Sequence, residues 1–472
     1  MSLHAAPATP VHGRLIPVSR RPLVRAVTLA VLGTLGASMA HAENLIELYQ
    51  AARAYDAPYL AAKAQTESVQ YQTAQAHALQ RPSVNLQGSV TRSRYESSMP
   101  NGVAFYGGKP VSFAYDSTMT TAKVGVAARQ PLFNRSNSAK VEQAEQALDI
   151  AQADLKLAED DLAVRLARAY FDVLGAQDVL ATARANQKAL AEQLALAKRS
   201  FEVGNATITD TREAQARYDL ASAQEIAATN DLLVKRIALD QLVGRPNVQP
   251  NPLRTPVNLD TLAPGELDTW VSQTGASPQV RKAEIGAQVA RLEVDKARAG
   301  HLPTLDAVAS VGRTQVDTNN PFTKSSGAPG NAGSIGLELN VPLYAGNAIQ
   351  NRVRETLTLQ DKADRDLDNA RRSVDLGTRQ AYSGVQSGLA QVKAYEAAET
   401  SARLALEATQ LGYQVGVRIN KDVLDAQTQL ANTQKDLAKA RYDVIVGTIR
   451  LRQIAGTLQA EDLVELNKLL AP

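Results

Sequence analysis

The sequence predicts a mostly α-helical chain, built from one unit used twice, with two strand hairpins of membrane β-barrel type set between long helices. Three observations predict it. First, the stretch from Ala169 to Gly244 returns 212 residues later, from Ala381 to Gly456, without a gap. Phe201-Glu-Val-Gly204 becomes Tyr413-Gln-Val-Gly416, and Asp210, Ala214 and Gln215 become Asp422, Ala426 and Gln427. A fixed offset over so long a stretch means one structural unit employed twice. Second, two segments carry apolar residues at steps of three and four. Third, two Pro-flanked segments alternate apolar and polar residues.

The helical seams run through Val141, Ala144, Leu148, Ala151, Leu155, Ala158, Leu162 and Ala169, with Arg165 interrupting, and through Val423, Ala426, Leu430, Thr433, Leu437, Ala440, Val444, Gly447, Leu451 and Ile454. Such a stripe is a coiled-coil seam, and its small members let helix axes approach closely. Aromatic residues are only 4% of the 472, which suits close-packed helices better than a large globular core. Ser136–Leu174 contains neither Gly nor Pro, and Ala345–Leu411 is helix-friendly apart from Gly377, Gly384 and Gly388. A helix of about 65 residues would be about 100 Å long, which suits a tube or stalk.

The first hairpin spans about 83–133: Ser83–Val90 alternates, a polar loop follows, and Lys123–Val126 alternates again before Pro131. The second spans about 304–344. Leu305, Ala307, Ala309 and Val311 share one face of their strand, and Ile335, Leu337, Leu339 and Val341 line one face of theirs, with Pro321, Gly327 and Pro329 in the loop between. Period-two alternation reads as half-buried strands. An ordinary half-solvated sheet and a membrane barrel both fit it. Tyr95, Phe105, Tyr106, Phe113 and Tyr115 near the first tip, together with a leader, favour the membrane.

That leader is residues 1–42: Arg14, Arg20, Arg21 and Arg25, then the apolar run Ala26–Ala37, then Ala40-His41-Ala42. This is the pattern of a secretory signal peptide, with a run too short to be a permanent anchor. Removing its four Arg changes the net charge from +3 to −1, so the basicity is a targeting feature and gives no reason to expect nucleic acid as a partner. There is no Cys, which excludes disulfides and Cys-based metal sites. No nucleotide, cofactor, metal-protease or hydrolase motif is present, so no cofactor is expected and nothing argues for an enzyme.

Each repeat also contains a tight helix-turn-helix. Gly204 and Gly416 stand where a helix ends, and Asp210–Glu213 and Asp422–Asp425 read as acidic capping boxes opening the next helix. The domains expected are therefore a first repeat over 43–244, a Pro-rich connector over 245–276 forming a small irregular region of its own around Trp270, a second repeat over 277–456, and a C-terminal segment over 457–472.

The order helix, hairpin, long helix, turn, helix, connector, and then the same again, resembles the TolC family of outer-membrane channels. The residues carrying the resemblance are Glu43-Asn-Leu-Ile46, the paired hairpins, His301-Leu-Pro-Thr-Leu-Asp306, and Tyr413–Arg418 leading to Asp422–Asp425. The resemblance implies a homotrimer in the outer membrane of a Gram-negative bacterium. Its twelve-stranded barrel, with four strands per chain, would continue into a coiled-coil tunnel through the periplasm. Four strands cannot close a barrel alone, which agrees. The resemblance further implies a periplasmic entrance at the two turns. Asp422 and Asp425 match an acidic ring, while Tyr413 and Arg418 match closing links to Thr209 and Asp210 of a neighbouring tip. The same aspartates sit where acids stabilise a helix N-terminus, a role that stays open here. The implied partners are a periplasmic adaptor, an inner-membrane pump (ABC or proton-driven), exported protein or small molecules, and outer-membrane lipid. The implied function is a passive exit duct, for type I protein secretion first and multidrug efflux second. A pore-less periplasmic coiled-coil adaptor is the alternative from another class.

Overall fold

The computed structural model describes residues 43–106, 109–254, 256–319 and 329–471, with residues 97–106 and 109–115 described by their backbone. The leader expected over 1–42, the loop 320–328 and the tip side chains of Phe105, Tyr106, Phe113 and Tyr115 lie outside the described residues. Glu43 onward forms one compact unit.

The chain begins with helices α1 (Leu45–Tyr55) and α2 (Ala57–Ala78), followed by strands β1 (Ser83–Tyr106) and β2 (Lys109–Phe133). Two long antiparallel helices follow, α3 (Arg135–Glu202) and α4 (Ile208–Val243). The connector carries α5 (Leu267–Gln273) between two 3₁₀ turns. The second half repeats the plan with α6 (Pro278–Arg298), β3 (Thr304–Thr318), β4 (Gly330–Asn340), α7 (Ala348–Gln414) and α8 (Asn420–Ala455), and α9 (Ala460–Asn467) ends it. The 212-residue offset maps α4 onto α8 residue for residue, and both helices end at a left-handed glycine, Gly244 or Gly456.

At 68 and 67 residues, α3 and α7 are each about 100 Å long. The glycines do not break α7, and two of them serve close approach to α8. A Cβ on Gly388 would stand 2.8 Å from Val444 Cγ2, and one on Gly377 3.2 Å from Ile454 Cγ2. The threonines Thr66 and Thr73 of α2 likewise donate hydroxyl bonds to the α3 carbonyls of Ala151 (3.1 Å) and Ala144 (3.0 Å). The Arg165 that interrupts the first seam forms a fork on Asp56, 2.9 Å from each carboxylate oxygen. Asp56 is itself the N-cap of α2, accepting from Tyr59 N at 3.1 Å. The interruption is therefore a tie between α3 and the α1–α2 corner.

The sheet order is β1-β2-β3-β4, antiparallel throughout, with both outer edges open. The register aligns Leu86, Val126 and Val311 across three strands, and Leu305 with Leu339. On that face Ile335 is 89% exposed and Leu337 69%. The other face aligns Gln87 with Gly125 and Gly312, Ser89 with Lys123 and Thr314, and Ser310 with Ser334. One face is apolar and unpartnered, the other polar. The second hairpin is shorter than expected: Val341–Tyr344 is not strand, because Pro342 has no N–H to continue the ladder. No helix among the described residues is long and apolar enough to cross a membrane.

The main core gathers around Tyr170, Phe171 and Tyr442, where α1, α9 and the connector wrap α3, α4 and α8. Tyr170 and Phe171 meet edge-on at 5.3 Å. The Tyr170 hydroxyl donates to the Asn251 carbonyl at 3.1 Å. Within the connector, Val248 and Leu259 belong to this core and Leu253 bridges to Leu470.

Candidate functional site

The ends of α3–α4 and α7–α8 opposite the sheet are two short turns, 203–207 and 415–419. In each, a glycine takes the left-handed conformation that side chains resist: Gly204 at φ 80° and Gly416 at φ 78°. The bonds match across the repeat. Asn205 N donates to Ser200 O at 2.8 Å, and Val417 N donates to Gly412 O at 2.8 Å. This closes the last carbonyls of each long helix.

The helices that follow start differently. Thr207, not Asp210, is the N-cap of α4. Its hydroxyl accepts from Asp210 N at 3.2 Å, and the Asp210 carboxylate accepts from Thr207 N at 2.9 Å and Thr207 Oγ1 at 2.8 Å. The expected box over Asp210–Glu213 is therefore three residues too late, because Thr207 already supplies the cap and Asp210 is its N3 partner. In the second copy the cap position holds Ile419, which makes no side-chain cap, and α8 begins at Asn420. Asp422 and Asp425 are accordingly inside the helix and do not form a capping box. The Asp210 Oδ2 is bound in its cap, whereas Asp422, its repeat counterpart, has no hydroxyl to bind. Within the chain its near cation is Arg418, with Nη1 3.7 Å from Oδ2.

Asp425 lies one turn further along and is held by two cations. Arg217 Nη2, from α4, donates to its Oδ1 at 2.6 Å, and Lys421 lies against its Oδ2. The Lys421 ammonium, with weaker help from Arg217, holds the Asp425 carboxyl below the usual carboxylate range. Asp425 in turn pushes the Lys421 pKa up. Sequence reasoning missed Arg217. Only the Asp425 carboxylate makes it notable, and their separation of 208 residues conceals the pair.

Tyr413 sits half-buried in the last turn of α7 against a cluster of Leu406, Val423 and Leu430. Arg418 folds its stem over Gly412, where a Cβ would meet Arg418 Cγ at 2.8 Å. Thr209 is exposed on the first turn of α4. Among the described residues no hydrogen bond joins Tyr413 or Arg418 to Thr209 or Asp210 within one chain. Val203, Val415, Val417 and Ile419 leave an apolar rim on the turns, all more than half exposed.

The model of outer membrane efflux proteins matches residues 48–245 and 273–457, one segment for each repeat. The chain belongs to the outer membrane efflux protein family. It is 32% identical to the outer membrane protein TolC of Vibrio cholerae over 443 residues, covering 93% of this chain and 96% of that protein. It is 33% identical to the alkaline protease secretion protein AprF of Pseudomonas aeruginosa over 352 residues, covering 74% and 72%. Its fold matches a solved structure of CusC at a TM-score of 0.74, with 18% identity, covering 88% of this chain and 92% of that one. The family is one of outer-membrane transport channels, homotrimeric and reaching into the periplasm, and this chain has its fold. The exposed face of Leu86, Val126, Val311 and Leu337 is thus the lipid face of a barrel completed by copies of the chain.

Proposed function

We propose that this chain is the passive exit duct of a tripartite type I protein secretion system, with its periplasmic entrance at the turns 203–207 and 415–419. The observation that carries the entrance is the difference between the two tips. Ile419 offers Asp422 no cap, so its carboxylate, with Arg418 3.7 Å away, is available to face a shared axis, while Thr207 binds the Asp210 Oδ2. Three-fold symmetry turns Asp422 and Asp425 into six carboxylates around one opening, a natural site for cation attraction and block. Arg418 and Tyr413 would close the tip by bonding Thr209 and Asp210 of a neighbouring copy, a charge-assisted link that can be broken and remade. The apolar rim of Val203, Val415 and Val417 suits the helical tip of a periplasmic adaptor. The chain carries no nucleotide motif, so energy comes from an inner-membrane pump.

Secretion is favoured by the likeness to a protease secretion protein. Multidrug efflux is the second reading, since one duct can serve either pump. The test is complementation in a host deleted for its own exit channel. The chain is supplied with the pump and adaptor of a protease secretion system, or with those of a drug pump. Extracellular protease without restored drug resistance supports the proposal. Restored resistance without protease overturns the choice of cargo in favour of efflux.

A further inference from the structure

We infer that Arg217 is a selectivity-determining residue of this channel: together with Lys421 it offsets the Asp425 carboxylate, so its removal leaves that carboxylate under-compensated at the entrance. The inference rests on the entrance reading above and goes beyond it. The contact is a charge-assisted bond of 2.6 Å between helices α4 and α8. Its geometry is set by packing. Ala214, one turn before Arg217, and Leu424, next to Asp425, are fully buried in one apolar cluster, which fixes the spacing of the two helices. Arg217 bonds Asp425 although Glu213 lies one turn away on its own helix. The repeat position corresponding to Arg217 is Gln429, which bonds Thr433 instead. The cation is therefore present in the one copy where it reaches the ring.

Cations and carboxylates then alternate around Asp425. Arg217, Arg418 and Lys421 stand against Asp422, Asp425 and Glu213, the last of which also acts on Lys421. An entrance whose Asp425 carboxylates keep Lys421 alone draws multivalent cations more strongly than one in which Arg217 also offsets them. Arg217 and Asp425 are each more than a quarter exposed, so the field they set is also sensitive to salt.

The test is single-channel recording of the purified trimer in a planar bilayer, with hexamminecobalt(III) on the side of the helical tips and a potassium chloride gradient. Arg217→Gln is expected to tighten block by about tenfold or more and to shift the reversal potential toward cation selectivity. Arg217→Lys is expected to keep wild-type values, and Arg217→Gln with Asp425→Asn to return to them. Trimer recovery on a native gel controls for folding. If Arg217→Gln leaves block and reversal potential unchanged while Asp422→Asn weakens block, the inference is overturned and the entrance stands. If neither Asp422→Asn nor Asp425→Asn nor Arg217→Gln changes either quantity in conducting pores, the entrance reading fails with it.

Discussion

Two repeat-related pairs of glycines, Gly204 with Gly416 and Gly244 with Gly456, separate backbone strain from crowding. Gly416 and Gly456 share a φ of 78°, so an alanine at either bears the same left-handed penalty of about 1–2 kcal/mol. Their surroundings differ. A Cβ on Gly416 meets nothing within 4 Å, whereas one on Gly456 would stand 2.4 Å from Ser277 Cα and 2.8 Å from Ser277 N. Ser277 cannot retreat easily. It is 2% exposed, its N–H donates to Thr274 O at 3.1 Å, and its carbonyl accepts from Arg281 N at 2.9 Å. Overlap with backbone adds about 1–3 kcal/mol, so Gly456→Ala is expected to cost about 2–5 kcal/mol and Gly416→Ala about 1–2 kcal/mol. Gly244→Ala falls between them, because its clash is with the ring of the exposed Tyr55, which can swing aside. The assay is loss of helical circular dichroism on heating the trimer in detergent. The order Gly416→Ala, Gly244→Ala, Gly456→Ala in increasing damage is expected. Gly456→Ala melting together with Gly416→Ala would refute the crowding argument.

Arg165→Met strands the buried Asp56 carboxylate and is expected to cost about 2–4 kcal/mol, at the low end for a buried pair because Arg165 is a third exposed. A double-mutant cycle with Asp56→Ala should show strong coupling, and additivity would refute the pairing. Arg165 holds the Asp56 pKa below its ordinary value, so the pair's stabilisation is complete above about pH 4 and is lost as pH falls through the lowered value. Melting curves of wild type and Arg165→Met, compared between about pH 3 and about pH 7, should therefore converge toward the acid end. On the barrel, Leu337→Arg places a charge on the lipid face at a cost of about 2–4 kcal/mol per chain near the midplane. It is expected to cut the amount of trimer in outer-membrane fractions, while Asn85→Arg on the polar face leaves it intact; equal recovery of both would contradict the assignment of faces.

Much of this fold is legible in the sequence because its signals are local or periodic. The 212-residue repeat, the heptad seams and the alternation at Leu305–Val311 all survive in the structure. What is not legible depends on contacts across the chain. Gly377 and Gly388 look like helix breakers until Ile454 and Val444 are seen against them. Arg165 looks like a flaw in a seam until Asp56 is opposite it. At the tips, residue types and spacing drew the caps to Asp210 and Asp422. The competition is decided by a hydroxyl at Thr207 and its absence at Ile419. Arg217 reads as one more surface cation on α4, and only the meeting of α4 with α8 gives it a role.

The most direct test of the central claim uses the absence of cysteine in the chain. Asp422→Cys trimers in a planar bilayer would be exposed to a bulky charged methanethiosulfonate added on the helical-tip side alone. An abrupt, irreversible fall in current through Asp422→Cys pores, with wild-type pores unaffected, is the expected result and places Asp422 in the conducting path. Conducting Asp422→Cys pores whose current ignores the reagent, with labelling of the cysteine verified by mass, would contradict an entrance at these tips.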